Sequence, residues 1–119
     1  MQRMQRPSTT YSPGDVAVVR FQFKQEPRPK PRPVVIVSVP DFQASRRDAV
    51  VIAISARTDR NYFGDCLLKD WKEAGLSQEC KVKGIFRTIE QSEIRNTIGR
   101  LSDADSARLN ESMRVILGL

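Results

Sequence analysis

From Pro27 to Pro33 every second residue is proline, within a segment, Lys24 to Pro33, that reads KQEPRPKPRP. No helix runs through such a stretch, because each proline lacks an N–H and biases the residue before it toward extended backbone. The segment is therefore expected to be a stiff, extended arm. It carries Arg28, Lys30 and Arg32 splayed between the prolines at low entropic cost. That arrangement suits tracking of a phosphate backbone, and a solvated hairpin arm is the equally open alternative. The prolines are never three apart, which excludes a PxxP ligand.

The arm is flanked by strand signals. Before it, Val16 to Phe23 places Ala17, Val19, Phe21 and Phe23 on one face of a strand. After it, Val34 to Val39 and Ala49 to Ile54 are continuous β-branched runs, the pattern of strands covered on both sides. A turn is expected between them, through Pro40-Asp41 and Ser45 to Asp48. A polar loop, Arg57 to Tyr62, leads through Gly64 to a short strand at Cys66 to Leu68. Asp70 to Glu73 has capping-box form, with Gly75 ending that single turn. Lys81 to Phe86 reads as a strand, followed by a short polar helix near Gln91 to Asn96. In the last element Ser102 is the N-cap, Asp103 and Asp105 suit the positive helix end, and Leu109, Met113, Ile116 and Leu117 form an apolar stripe. The order predicts an α+β fold, a small curled antiparallel sheet or barrel with a short helix and a C-terminal helix. Residues 1–13 are expected to be an irregular leader, and residues 14–119 the single domain.

Composition then restricts the chemistry. Twenty Lys and Arg against 14 Asp and Glu give a net charge of +6, which suits phosphate backbones or an acidic protein. There is no histidine, so the commonest general base and the commonest metal ligand are both missing. Cys66 and Cys80 are too few for a disulfide framework or a thiolate metal site, and reduced thiols in a cytoplasmic protein are expected. The N-terminal stretch, cationic but with no apolar run behind it, is not expected to act as a signal peptide, and no bilayer-length apolar stretch, phosphate loop or dinucleotide motif stands in the sequence. Transfer of a phosphoryl group by the 2′-hydroxyl of RNA itself remains feasible with so few tools. The nucleophile belongs to the substrate, and the protein aligns it and stabilises the growing charge.

Arg32 stands out because it borders a buried strand, where its guanidinium can be held rigidly. Ser55 ends the next buried strand and is followed by Arg57. A hydroxyl and cations at adjacent strand ends make an anion pocket, although serine at a strand end is more often a turn residue. Arg87-Thr88-Ile89-Glu90 stands where a strand is expected to give way to a helix, and Thr88 or Glu90 capping that helix is the commoner role. Trp71, the one tryptophan, either stacks on a base or packs beneath its turn.

Several segments in order resemble the MazF/PemK family of toxins, its PemK-like subgroup in particular. They are Gly14-Asp15-Val16, Arg32-Pro33-Val34-Val35, Val51 to Ser55, Leu68 to Leu76, Arg87 to Glu90 and Ile98 to Ser102. The resemblance extends from Gly14 to Leu119. It implies an SH3-like small barrel, a homodimer, and a sequence-selective endoribonuclease toxin neutralised by a cognate antitoxin. Such an enzyme cuts single-stranded RNA without metal or cofactor, leaving 2′,3′-cyclic phosphate and 5′-hydroxyl ends. The family's catalytic arginine falls on Arg32, and its phosphate-binding Thr or Ser on Ser55. Arg28, Lys30, Arg57, Arg87 and Thr88 are the expected RNA-binding residues. Several relatives carry an acid three residues before Arg-Thr-Ile. This chain has Gly84 there, so the sequence assigns no general base. Two alternatives follow from the same barrel. A gyrase poison of the CcdB type usually ends in Trp-Gly-Ile, whereas this chain ends in Leu117-Gly118-Leu119. A non-catalytic RNA-binding barrel requires that Arg32 and Ser55 do not face one cleft.

Overall fold

Six antiparallel strands and two helices follow one another in a computed structural model that describes residues 10–119. They are β1 (Asp15–Phe21), β2 (Lys30–Ile36), α1 (Pro40–Arg46), β3 (Asp48–Ser55), β4 (Cys66–Leu67), β5 (Lys81–Glu90), β6 (Ile94–Arg100) and α2 (Asp103–Leu117). The strands pair in the order β4-β5-β3-β2-β1-β6. Most of the expected leader, residues 1–9, lies outside the described residues. Tyr11, within the expected leader, is tied to buried Gln43, whose side chain meets both the backbone N–H and the carbonyl of Tyr11 at 2.7 Å.

The β5–β6 connection dictates the shape of the sheet. Four inter-strand spacings separate these strands, about 19 Å on a flat sheet. Only a 3-10 turn, Gln91–Glu93, joins them. From Glu90 to Ile94 the chain spans at most about 14 Å. The sheet therefore curls, and Ile94 of β6 and Ile85 and Ile89 of β5 join one apolar cluster with Ala17, Val19, Val34, Val51 and Ala53. The opposite face holds Val16, Val35, Ile52, Ile54 and Val82, covered by Leu68, Leu76 and Leu109. The two β-branched runs are thus covered on both faces, as their composition predicts. Pairing does not close into a full barrel: β4 and β6 remain edges. The turn at Trp71–Gly75 packs against β6 instead. A Cβ on Gly75 would overlap the Ile98 carbonyl, and one on Gly99 would overlap that of Ala74, so two backbones touch where only glycine fits.

Three local expectations change. The predicted turn after β2 holds a helix, α1, with proline in its first turn, Asp41 beside it and Arg46 at its end. The predicted polar helix near Gln91–Asn96 shrinks to the 3-10 turn. Its second half enters β6, where pairing with β1 and β-branched Thr97 and Ile98 prevail over weak helix propensity. The arm is only partly free, since Lys30 to Pro33 belong to β2. Proline is tolerated there because β3 pairs with β2 only from Val34 onward, leaving one side without a ladder to break.

The C-terminal helix matches its signals closely. Ser102 Oγ accepts from the Asp105 N–H at 3.1 Å and donates to Asp70 Oδ2 at 2.7 Å. Asp70 therefore joins two elements through Ser102. Asp105 is fully buried and accepts from the backbone N–H groups of Lys69 and Asp70, with Arg108 at 2.9 Å. Leu109 and Met113 pack on the core, Ile116 lies over Gly64 and Gly84, and Leu117 is exposed.

Candidate active site

At the end of β2 the alternation of the strand puts Lys30, Arg32 and Val34 on the concave face, the face of Val51 and Ala53. Arg32 lies over the ring of Phe23, 4.6 Å from its centroid, and one guanidinium nitrogen is ion-paired with Glu26 Oε2. Glu26 is itself held, because its Oε1 accepts from the Phe23 N–H at 3.1 Å. The Arg32 Nε is buried and has no partner among the described residues. A buried donor of this kind is an unusual expense unless an acceptor arrives.

Phe23 carries a second cation, with Lys83 Nζ 4.8 Å from its centroid. Phe21 meets Phe23 edge-on at 5.1 Å and carries Arg87 at 4.5 Å. Three cations thus share two aromatic rings. Each such contact contributes about 0.5–2 kcal/mol by attraction to the ring face. The three charges also repel one another, and Glu26 is the carboxylate that contacts one of them. A polyanion would relieve that repulsion.

The register of β2 and β3, Val34 opposite Ala53, continued two residues further sets Arg32 across from Ser55 on the same face. Ser55 is 8 % exposed, and its Oγ accepts from the Arg57 N–H at 3.1 Å. On its other side Ser55 pairs with Lys81. Lys81 is 2 % exposed, and its Nζ lies 2.7 Å from Asp65 Oδ2 and bonds the Arg60 carbonyl. Its charge holds the 56–65 loop in place. Two open clefts adjoin this row. One, of about 300 Å³, lies between Lys30 to Pro33 and Leu76 to Gln78. The other, of about 290 Å³, is lined by Gln25, Arg57, Asp59, Tyr62 and Lys83 among others.

By strand alternation Arg32, Ser55, Lys30 and Arg87 all fall on the concave face. Arg57 is exposed at its rim, where an ion pair with Asp59 at 3.4 Å and the hydrogen bonds it brings hold that carboxyl below its usual pKa. Arg28 is exposed in the loop between β1 and β2. Thr88 is not in this group. It lies within β5 opposite Val50, on the other face, and caps no helix, whereas Glu90 forms the capping box of the 3-10 turn. Gly84 also faces away, and a Cβ there would press on Ile116 of α2 at 3.1 Å. Five residues around this face were not singled out as site residues by the sequence reading: Glu26, Phe23, Lys83, Lys81 and Asp65. The alternation Lys81-Val82-Lys83 did carry a signal, since with Arg87 it puts three cations on one face of a single strand, which is unusual. Among the described residues no three His, Cys, Asp or Glu side chains stand close enough to hold a metal ion. None of the described helices is long and apolar enough to cross a membrane.

The molecule is thus a small basic α+β protein with a curled sheet and a cation-rich concave face. Residues 12–117 match the model of PemK-like, MazF-like toxins of type II toxin–antitoxin systems, and the chain belongs to that family. No curated protein matches the sequence. Among solved structures, MazF from Deinococcus radiodurans is similar at a TM-score of 0.74 and 13% identity, covering 94% of this chain and 100% of its own. A mycobacterial endoribonuclease in complex with its cognate antitoxin is similar at 0.72 and 16% identity, with 94% and 97% covered. The Mycobacterium tuberculosis toxin MazF-mt6 follows at 0.68 and 20%, with 87% and 97% covered. The fold is shared with all three.

Proposed function

We infer that the protein is a sequence-selective endoribonuclease toxin that cuts single-stranded RNA without a metal ion. The observation that carries this reading is Arg32. Its guanidinium is fixed between Phe23 and Glu26, it keeps a buried Nε–H without an acceptor among the described residues, and by strand alternation it falls on the same sheet face as Ser55. Family membership and the likeness to proteins described as endoribonucleases support it.

In the proposed reaction the 2′-oxygen of RNA attacks the adjacent phosphorus. The new P–O2′ bond forms as the P–O5′ bond breaks, giving a 2′,3′-cyclic phosphate and a 5′-hydroxyl. The 2′-hydroxyl proton leaves and the 5′-oxygen gains one. Arg32 binds the phosphate and stabilises the charge that grows on its oxygens, with Ser55 as a second donor. Glu26 keeps the guanidinium plane in place, and its carboxylate is the acceptor nearest the reacting group for the departing proton. Lys30, Arg28, Lys83 and Arg87 guide the flanking phosphates. A homodimer neutralised by an acidic antitoxin segment completes the reading, since an acidic chain competes for the same cationic face.

The test is to incubate the purified protein with a long RNA, with and without EDTA, and to determine the chemistry of the new ends. Cyclic phosphate and 5′-hydroxyl ends are expected under both conditions. Ends bearing a 5′-phosphate, or cleavage restored only by a divalent ion, would overturn the metal-free mechanism.

A further inference from the structure

The 56–65 loop is built more rigidly than a connection between strands requires. Burying an ion pair is expensive, yet Lys81 and Asp65 are both almost wholly buried, and Lys81 also bonds the Arg60 carbonyl. Asp65 Oδ2 accepts from the Tyr62 N–H at 2.9 Å, fixing the backbone that carries the ring. The Tyr62 hydroxyl is tied to Arg60 at 3.1 Å, and Lys81 Nζ lies 5.5 Å from the ring centroid on one side. What results is a rigid, 57 % exposed aromatic ring at the wall of the 290 Å³ cleft. An immobilised exposed aromatic beside cations is the arrangement on which an unpaired base stacks.

The rest of the lining is polar and carries both signs. Asp59 offers a carboxylate that Arg57 keeps ionised, while Arg57, Arg60 and Lys83 offer donors. Lys83 also shares the Phe23 ring with Arg32, so the cleft adjoins the proposed phosphate site. A nucleotide whose phosphate sits at Arg32 and Lys83 has its base within reach of Tyr62. The cleft lies at the small end of ligand sites, which suits one base rather than two.

We propose that this cleft reads a single unpaired guanine next to the cut phosphate, stacked on Tyr62 and recognised by Asp59 and Arg57. Guanine alone presents two adjacent donors, N1–H and N2–H, to one carboxylate, with O6 beside them as acceptor for a guanidinium. The carboxylate contacts to Arg57, at 3.4 Å, are long enough to exchange for those of a base. The proposal rests on the nuclease reading for its neighbouring phosphate, and its test separates the two.

A randomised single-stranded RNA pool is offered to the wild-type protein, Tyr62→Ala and Asp59→Asn, and both the retained RNA and the cut ends are sequenced. Both side chains are exposed, so the variants should fold. The expected result is guanine enrichment at one fixed position beside the cut, lost roughly tenfold in Asp59→Asn, in line with one bidentate base contact. Tyr62→Ala should weaken retention and blur the same position, and pool cleavage should persist in both variants. If the wild type cuts without guanine enrichment, or if the variants keep it, the proposal falls while the nuclease reading stands. If the wild type cuts nothing but retains guanine-enriched RNA through Asp59, the cleft stands and the nuclease reading fails.

Discussion

Partly buried Arg32 and fully buried Asp105 illustrate how differently two charged groups can act. Asp105 is fully satisfied: two backbone N–H groups and Arg108 surround it, and it has nothing left to offer a ligand. Asp105→Ala is expected to destabilise the fold by roughly 3 kcal/mol, because two buried donors lose their acceptor. Equilibrium unfolding in urea measures this, and RNA cleavage by the protein that remains folded should be unchanged. Arg32 keeps an unpaired buried donor and sits in an open cleft. Its replacement should remove function with little effect on the fold. Ser55→Ala should be milder, costing about 1–3 kcal/mol of transition-state stabilisation for the hydrogen bonds lost. Single-turnover cleavage, with circular dichroism as the control for folding, distinguishes the two classes of residue.

At the scale of elements, the β1–β2 arm and the 56–65 loop frame the concave face from opposite sides. Arg28→Glu combined with Lys30→Glu should weaken RNA binding steeply and lower its dependence on salt by about two phosphate contacts. A titration at several salt concentrations checks this, and unchanged binding would remove the arm from the interface. Cys66 and Cys80 concern the β4–β5 region. Burial pushes both thiols above their ordinary value near 9.0. A thiol whose folded pKa is raised contributes stability below its unfolded pKa and loses that contribution as pH rises through the folded one. Stability should therefore fall on the alkaline side of pH 9, and Cys66→Ser with Cys80→Ser should flatten that slope in pH-dependent denaturation.

Elements also show what could be read in advance. The buried strands, the Ser102 cap and the apolar face of β1 were legible because composition, period and capping chemistry agreed there. The strand-end positions of Arg32 and Ser55 were legible for the same reason: each borders a β-branched run that fixes where the strand lies. The α1 helix and the β6 strand were misread where local signals compete with pairing between distant segments. Pro40 marks a turn or a first helical turn equally well. Thr97 and Ile98 become a strand because β1 presents an unpaired edge. Glu26 and Lys83 could not be assigned from sequence, since only the curl of the sheet brings the arm and β5 to one phenylalanine.

For the whole molecule, the surplus of +6 and the curled sheet act together. The curl gathers Arg32, Lys83 and Arg87 around two rings, so their field is concentrated on one face and draws a polyanion toward it. An acidic antitoxin and RNA should then bind in competition, with the affinity of both falling as salt is raised. The central claim is that the Arg32 guanidinium supplies the decisive stabilisation at the cut phosphate, with no metal to share the task. Single-turnover cleavage of a short single-stranded RNA in EDTA by wild type, Arg32→Ala and Arg32→Lys tests it most directly. The wild type should cut, Arg32→Ala should be inactive though folded, and Arg32→Lys should recover a small fraction, because lysine keeps the charge but not the two-pronged donor. A near-normal rate for Arg32→Ala would contradict the account and move the active site toward Arg87 or Arg57.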